Sequence, residues 1–185
     1  MSDSFTLLKP GQEVRSRIAE LGVQISSDYP FLTAESPLLV LCTLRGAVFF
    51  ASDLIRALTV PAEMDFIKVH SYCGTRPAGS PIFDLGEQID VSGRHVLVVE
   101  DIVDTGQTMA TVMQNFADKG AKSIRICTML DKPSRRTERC KTVTPDYIGF
   151  TIPDLFVIGW GLDFNGKYRL LPDIMVYNPD AAEEQ

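Results

Sequence analysis

Apolar residues occur along the chain in two patterns, helical spacing and short continuous runs. Residues 12–27 place apolar side chains three or four positions apart between charged ones, which predicts an amphipathic helix lying on a core. Residues 38–42 and 96–99 are uninterrupted apolar runs, the pattern of strands buried on both faces. Each run is followed by a turn and then by a helical pattern. The predicted helix positions that face the core are Val14, Ile18, Leu21 and Ile25.

Further strand patterns follow at residues 64–72 and 124–130, with short β-like pieces after residue 141. Strands that alternate with helices favour an α/β fold with a mostly parallel sheet, and its ligand site is expected outside the carboxyl ends of the strands. Residues 73–86 are rich in glycine and proline and predict a long loop, which we interpret as a functional lid.

Composition narrows the class of protein. The 185 residues suit one domain, and 45% hydrophobic with 23% charged residues is typical of a globular protein. A net charge of -6 argues against nucleic-acid or anionic membrane partners, and no run of apolar residues is long enough to span a bilayer. The four cysteines lack metal-site or disulfide spacing, and the N-terminus lacks a signal peptide. We expect a soluble cytoplasmic protein.

The loop after the 96–99 run carries the most informative chemistry. Glu100, Asp101 and Asp104 at a strand end suit a metal or a polyol, although such acids can instead cap the next helix. The residues that follow bring a glycine, two hydroxyls and an amide to a helix N-terminus, which makes a phosphate cradle. They are Thr105, Gly106, Gln107 and Thr108. The spacing is neither that of a Walker A loop nor that of a GxGxxG fingerprint.

Residues 98–108, read as VVEDIVDTGQT, resemble the phosphoribosyl pyrophosphate motif of the type I phosphoribosyltransferases. LRGA at 44–47, DKPSRR at 131–136 and IPDLFVIGWGLD at 152–163 further resemble the hypoxanthine-guanine branch of that family. The resemblance spans residues 38–169. It implies the type I phosphoribosyltransferase fold, as a single domain over residues 1–185. A small hood, built from about residues 150–185 with the N-terminal residues, would cover the carboxyl ends of the strands.

The same resemblance implies a set of residues that bind the phosphoribosyl donor. Glu100 and Asp101 would bind the ribose hydroxyls, which also chelate magnesium. The loop from Thr105 to Thr108, with Gly106 and Gln107, would wrap the 5'-phosphate. Arg45 and Gly46 match the pyrophosphate loop, in which the family commonly has a non-proline cis peptide before the basic residue; Arg45 alone would be read as a surface charge. Arg169 matches a pyrophosphate contact.

For the purine, the resemblance implies that Asp104 takes or relays a proton at the imidazole ring, although a helix N-cap is the alternative role. Lys132 would donate to the exocyclic oxygen of a 6-oxopurine, and Phe156 would stack on the ring. These two residues alone would be read as a solvated lysine and a core phenylalanine. The Val157 backbone would read the base edge, and Asp163 would lie near the purine amino group and a second magnesium.

Ser71 and Tyr72 match the dipeptide at the root of the lid. Residues 79–84 depart from the family pattern, in which a second lid strand with a basic residue follows. The expected activity is magnesium-dependent transfer of a phosphoribosyl group to hypoxanthine or guanine by a homodimer or homotetramer. The alternatives are a phosphoribosyltransferase that prefers xanthine, adenine or a pyrimidine, and a regulator on the same fold that senses the donor.

Overall fold

The computed structural model describes residues 4–70, 82–84 and 89–178. The helices are α1 (Gly11–Asp28), α2 (Val48–Ala57) and α3 (Gln107–Asp118). The strands are β1 (Ser4–Lys9), β2 (Leu38–Leu44), β3 (Ala62–His70), β4 (Ile82–Asp84), β5 (His95–Val103), β6 (Ser123–Asp131), β7 (Tyr147–Thr151), β8 (Val157–Ile158) and β9 (Ile174–Asn178). Short 3-10 turns occupy Pro133–Arg135 and Glu138–Cys140.

The central sheet has the strand order β4-β3-β2-β5-β6-β7. Its five strands from β3 to β7 are parallel, and β4 pairs antiparallel with β3 at one edge. The predicted α/β fold with a mostly parallel sheet is therefore confirmed. From β2 the chain moves outward to β3 and then returns to place β5 on the other side of β2. Such a reversal opens a crevice at the carboxyl ends of β2 and β5, where parallel α/β sheets bind their ligands.

The two faces of this sheet pack into separate hydrophobic clusters. In β5, Leu97 and Val99 face the cluster that includes α1 and α2, whereas Val96 and Val98 face the cluster that includes α3. Side chains of a strand alternate between faces, so a strand covered on both sides must be apolar throughout. This explains the continuous apolar runs of β2 and β5. The four predicted core positions of α1 are all buried.

A second sheet, with the order β1-β9-β8, is antiparallel. It joins the start of the chain to residues near the end, with Phe5 paired with Tyr177. Strand β1, whose register shifts between Leu7 and Lys9, was not predicted from the sequence. A bulge of this kind breaks the two-residue alternation that identifies a strand.

The predicted loop over residues 73–86 needs a correction, because it contains β4. This strand bonds to the free edge of β3, with Phe83 opposite Val69. An unpaired edge leaves backbone groups without partners, and three residues of β4 satisfy part of that edge. No helix in the described part of the chain combines the length and apolarity that a bilayer crossing requires.

Candidate active site

A cleft of about 220 Å³ opens where β2 and β5 end. Its walls come from the end of β2, from the end of β5 and from the turn that leads into α3. The lining residues are Thr43, Leu44, Glu100, Ile102, Val103, Asp104, Thr105, Gly106, Thr108 and Met109. The fold therefore brings five of the predicted site residues, Glu100, Asp104, Thr105, Gly106 and Thr108, to one cavity at the predicted edge of the sheet.

The acid pair is held by hydrogen bonds from its own strand and from β2. The Thr43 hydroxyl lies 2.8 Å from Glu100 Oε1, and the Asp101 amide donates to the same oxygen at 3.1 Å. The Ile102 amide donates to Asp101 Oδ1 at 2.7 Å. Burial and the neighbouring Asp101 carboxyl raise the pKa of Glu100 well above its usual range. Two acids held this closely favour a bound proton, a cation or a hydroxyl donor between them.

Asp101 also connects the acid pair to the predicted pyrophosphate loop. A Cβ atom on Gly46 would lie 1.5 Å from Asp101 Oδ2, so only a glycine leaves room for this carboxylate. The peptide bond between Leu44 and Arg45 is cis, as the resemblance implied. The carbonyl oxygen of Gly46 would in turn lie 2.1 Å from a Cβ atom on Gly161. The loop after β2 is thus packed between β5 and the C-terminal part of the chain.

Arg169 lies next to this loop. Its guanidinium donates to the Gly161 carbonyl at 2.5 Å and pairs with Asp163 at 2.6 Å. The second oxygen of Asp163 accepts a hydrogen bond from the Gly166 amide at 2.7 Å. Arg169, Asp163 and Gly46 therefore share one region, which is the arrangement expected if the guanidinium neutralises a pyrophosphate.

The predicted phosphate loop leads into α3. Gly106 has a φ of +81°, a left-handed conformation that side chains other than glycine rarely adopt. The Ala110 amide bonds to the Gly106 carbonyl at 2.9 Å and closes the first helical turn. The first amides of a helix have no partner within it, and together with the helix dipole they favour an anion. Thr105 and Thr108 add hydroxyls to this end of the cleft.

Arg136 supports this loop from beneath, and sequence reasoning gave it no role. Its side chain is 6% exposed and donates to the carbonyls of Val103 at 2.8 Å and of Asp104. It also bonds to the Lys132 carbonyl and pairs with the buried carboxylate of Asp131. Its Cδ would lie 3.0 Å from a Cβ on Gly106. The motif at 131–136 contains several basic residues, and the sequence alone does not show that Arg136 is a buried one.

Two of the residues predicted to contact the purine, Asp104 and Lys132, lie just beyond the ends of β5 and β6. The Lys132 amide bonds to the Val103 carbonyl at 3.0 Å, and the lysine side chain is only 8% exposed. Its ammonium lies 3.6 Å from Asp154 Oδ1. Asp104 pairs with Arg135 at 3.2 Å. Lys132 and Asp104, which were predicted to contact the purine, therefore start from neighbouring backbone positions.

Phe156 is 50% exposed, although it stands directly before β8. Its ring meets Phe164 edge-on, with centroids 5.6 Å apart, and contacts Tyr177 at 6.0 Å. The Phe156 carbonyl accepts a hydrogen bond from the Tyr177 amide at 2.9 Å, and Val157 is the strand partner of Val176 in β9. An exposed ring held in this way presents a flat apolar surface, which suits stacking on a heterocycle.

The described residues contain no cluster of three or more histidine, cysteine or acidic side chains that could hold a metal alone. Mg²⁺ usually binds through one or two carboxylates and completes its shell with water and substrate phosphates. The hard oxygens of Glu100 and Asp101, whose mutual repulsion a cation would relieve, fit this mode. Ser71 and Tyr72 lie outside the described residues, so their role at the lid stays a prediction.

Comparisons with known proteins define the class. The sequence model of the phosphoribosyl transferase domain matches residues 6–165. The chain therefore belongs to the phosphoribosyltransferase family. It is 38% identical over 181 residues to the hypoxanthine-guanine phosphoribosyltransferase of Mycobacterium tuberculosis, covering 96% of this chain and 88% of that relative. It is 40% identical over 177 residues to the hypoxanthine phosphoribosyltransferase of Escherichia coli K12, covering 94% and 96%.

Solved structures agree with this assignment. The hypoxanthine phosphoribosyltransferase of Trypanosoma cruzi superposes with a TM-score of 0.88 and 35% identity, covering 96% of this chain and 93% of that one. A hypoxanthine-guanine phosphoribosyltransferase from Bacillus anthracis gives a TM-score of 0.82 and 34% identity, covering 92% and 97%. The resemblance stated from the motifs and the type I phosphoribosyltransferase fold are both confirmed.

Proposed function

We propose that this protein is a purine salvage enzyme that transfers the 5-phosphoribosyl group from phosphoribosyl pyrophosphate to hypoxanthine or guanine. The products are IMP or GMP and pyrophosphate. The observation that carries the proposal is that Glu100 lines one cleft with Thr105, Gly106 and Thr108 at the point where the strand order reverses, with Asp101 next to it on the same strand. The relatives named hypoxanthine or hypoxanthine-guanine phosphoribosyltransferase support the choice of base.

In this proposal the donor is held along its length. The amides and hydroxyls from Thr105 to Thr108 bind the 5'-phosphate, and Glu100 with Asp101 fixes the ribose hydroxyls. Gly46 lets the backbone of its loop approach the pyrophosphate, whose charge Arg45 and Arg169 neutralise. Held at both ends, the donor exposes its C1' atom to the base, which is catalysis by positioning and electrostatics.

Magnesium is the expected cofactor, with Glu100 and Asp101 as its nearest protein ligands and Asp163 at a second site. When bound, it supplies positive charge to the ribose and pyrophosphate oxygens. One oxygen of Asp163 pairs with Arg169 and the other accepts a hydrogen bond from the Gly166 amide. Asp163 therefore also holds Arg169 in place for the pyrophosphate.

The base is bound between an aromatic ring and two charged groups. Phe156 stacks on the purine, and the Lys132 ammonium donates a hydrogen bond to its exocyclic oxygen. The amino group that adenine carries at this position cannot accept that hydrogen bond. The Val157 backbone reads the opposite edge. The bond from C1' to pyrophosphate breaks as the bond from C1' to the purine nitrogen forms. Asp104 accepts the proton that the imidazole ring gives up.

We further propose that the enzyme is cytoplasmic and homo-oligomeric, a dimer or tetramer, with the β1-β9-β8 sheet as the hood of a single domain. The cysteines that the structure describes, Cys42, Cys127 and Cys140, are buried free thiols, as expected in a reducing compartment.

Phe49 and Phe66 are large apolar side chains left exposed on the chain. Light scattering on the purified protein measures the oligomeric state.

The deciding experiment is an absorbance assay with magnesium and phosphoribosyl pyrophosphate, in which hypoxanthine, guanine, xanthine and adenine are offered separately. We expect turnover of hypoxanthine and guanine and none of adenine. Asp104→Asn serves as the control for turnover that does not arise at this site.

Preference for xanthine would correct the assignment of the base. The absence of turnover with any base, together with tight binding of the donor in calorimetry, would instead support a regulator that senses phosphoribosyl pyrophosphate.

A further inference from the structure

Four charged side chains of alternating sign run across the base side of the site. Asp104 Oδ1 lies 3.2 Å from Arg135 Nε, and Arg135 Nη1 lies 3.4 Å from Asp154 Oδ2. The other oxygen of Asp154 lies 3.6 Å from Lys132 Nζ. The two ends of this row, Asp104 and Lys132, are residues of the proposed mechanism. The two middle members have no role in it.

The Lys132 end of the row is nearly buried. The side chain is 8% exposed, and in the described part of the chain Asp154 provides the carboxylate within 4 Å of its ammonium. A buried ammonium needs a counter-charge, so the place of that counter-charge decides where the ammonium points. Asp154 belongs to the loop before β8, which also carries Phe156. The Asp154 carboxylate thereby fixes the position of the Lys132 ammonium relative to the ring of Phe156.

The Asp104 end is different, because both members of the pair are exposed to water. The side chains of Asp104 and Arg135 are 40% and 47% exposed, and such pairs add little to stability. Arg135, however, lies between two carboxylates and forms an ion pair with each through a different nitrogen. A guanidinium is suited to this use because its donors are fixed in one plane.

The middle pair also keeps the two ends apart. The Lys132 backbone bonds to Val103, the residue before Asp104, so the ammonium and the carboxylate start only one strand spacing apart. Because the two backbone positions are neighbours, the oppositely charged side chains would attract each other if neither had another partner. With Arg135 and Asp154 between them, each has its own counter-charge.

We propose that Asp154 and Arg135 are positioning residues of the base site, Asp154 for the ammonium of Lys132 and Arg135 for the carboxylate of Asp104. The proposal rests on the proposed function. It assigns different effects to the two residues. Asp154 acts on the binding of the 6-oxopurine, and Arg135 acts on the step in which Asp104 receives the proton.

Steady-state kinetics of Asp154→Asn and Arg135→Gln tests this division. We expect Asp154→Asn to raise KM for hypoxanthine by roughly 10- to 100-fold, with KM for the donor unchanged. Arg135→Gln should lower kcat by about tenfold with smaller effects on either KM. Asp154→Glu keeps the charge and should recover most of the loss, whereas Arg135→Lys keeps the charge without the planar set of donors and should recover only part of it. The matched control is Arg56→Gln, which breaks an exposed arginine–aspartate pair on α2.

Thermal unfolding is measured on every variant: Arg135→Gln, at an exposed pair, should shift Tm by less than about 2 °C, whereas Asp154→Asn should lower Tm further because it leaves the Lys132 ammonium without its counter-charge. Wild-type kinetics in both variants overturns the proposal. So does an equal loss of kcat and of affinity for both substrates that the conservative variants fail to recover.

If the wild-type protein turns over no purine, the proposed function fails by itself. The interaction between Lys132 and Asp154 is then measured by a double-mutant cycle of Lys132→Met with Asp154→Asn, with the free energy of unfolding in urea as the readout. No coupling between the two substitutions overturns the positioning as well, whereas measurable coupling supports it.

Discussion

Replacing Arg136 by Met should destabilise the fold more than any exposed charge substitution in the chain. The guanidinium and the Asp131 carboxylate are 6% and 7% exposed, and their ion pair lies beneath the phosphate loop. Removal of one partner from a buried pair costs about 3–5 kcal/mol, because the other charge stays buried without compensation. The carbonyls of Val103 and Asp104 lose their donor at the same time.

The loss is measurable against the stability of an ordinary domain, which is about 5–15 kcal/mol. For a domain of this size, 1 kcal/mol corresponds to about 2–4 °C in Tm, so Arg136→Met should lower Tm by about 6–20 °C. Urea unfolding followed by circular dichroism gives the free energy directly. The matched control is Arg139→Gln, a neighbouring exposed arginine, which should change it by less than about 0.5 kcal/mol.

A second substitution separates the ion pair from the packing. Asp131→Asn in the Arg136→Met background removes the uncompensated carboxylate and should recover part of the lost free energy. The reasoning is refuted if Arg136→Met loses less than about 1 kcal/mol, the net value of a typical hydrogen bond. It is also refuted if the double variant is less stable than the single one, since the buried charge would then not be the cause.

Three further predictions concern the site and the pH dependence of stability. Asp104→Asn should lower kcat by about 10²- to 10⁴-fold with little change in the Kd of either substrate; wild-type turnover in rapid-quench assays would contradict its role. Gly46→Ala should weaken donor binding by roughly 10²-fold in calorimetry, because the new methyl group displaces the Asp101 carboxylate, and unchanged affinity would contradict this. Burial and nearby cations lower the pKa of His95, so the unfolded chain takes up its proton first as pH falls below about 6.5. His95 should therefore contribute a decrease in unfolding free energy from pH 7 to 5, opposite in sign to the contribution of Glu100, and His95→Gln should remove that decrease in urea titrations; equal pH slopes in the two proteins would argue against it.

The central sheet could be predicted from sequence because its physical cause is local. A strand covered on both faces must be apolar at every position, and the runs at 38–42 and 96–99 show this directly. The place of the site and its acidic loop followed from the same logic, since polar residues after such a run must lie at the carboxyl edge, whereas the pyrophosphate and purine residues came from the family resemblance. Both inferences need only neighbours in sequence and the rule that parallel strands end together.

The second sheet could not be predicted in this way. Its pairing of β1 with β9 joins residues about 170 positions apart, such as Thr6 and Val176. The bulge in β1 removes the alternation that would identify it, and β8 has only two residues. The position of Phe156 depends on this sheet. Its role therefore came from the resemblance to a family, while its exposure and ring contacts came from the structure.

Arg135 and Arg136 show where sequence reasoning stops. They are adjacent, carry the same group and belong to the same motif, so no pattern distinguishes them. The 3-10 turn that begins at Pro133 ends at Arg135, and Arg136 follows it with a φ of −56° and a ψ of 130°, so the two residues differ in backbone conformation. One guanidinium therefore enters the protein and binds Asp131, while the other reaches the base site and bridges Asp104 and Asp154. The first holds the loop that we propose binds the donor, and the second pairs with Asp104, the proposed proton acceptor. The separation of these two contacts coincides with the end of one short turn, which includes Arg135 and not Arg136.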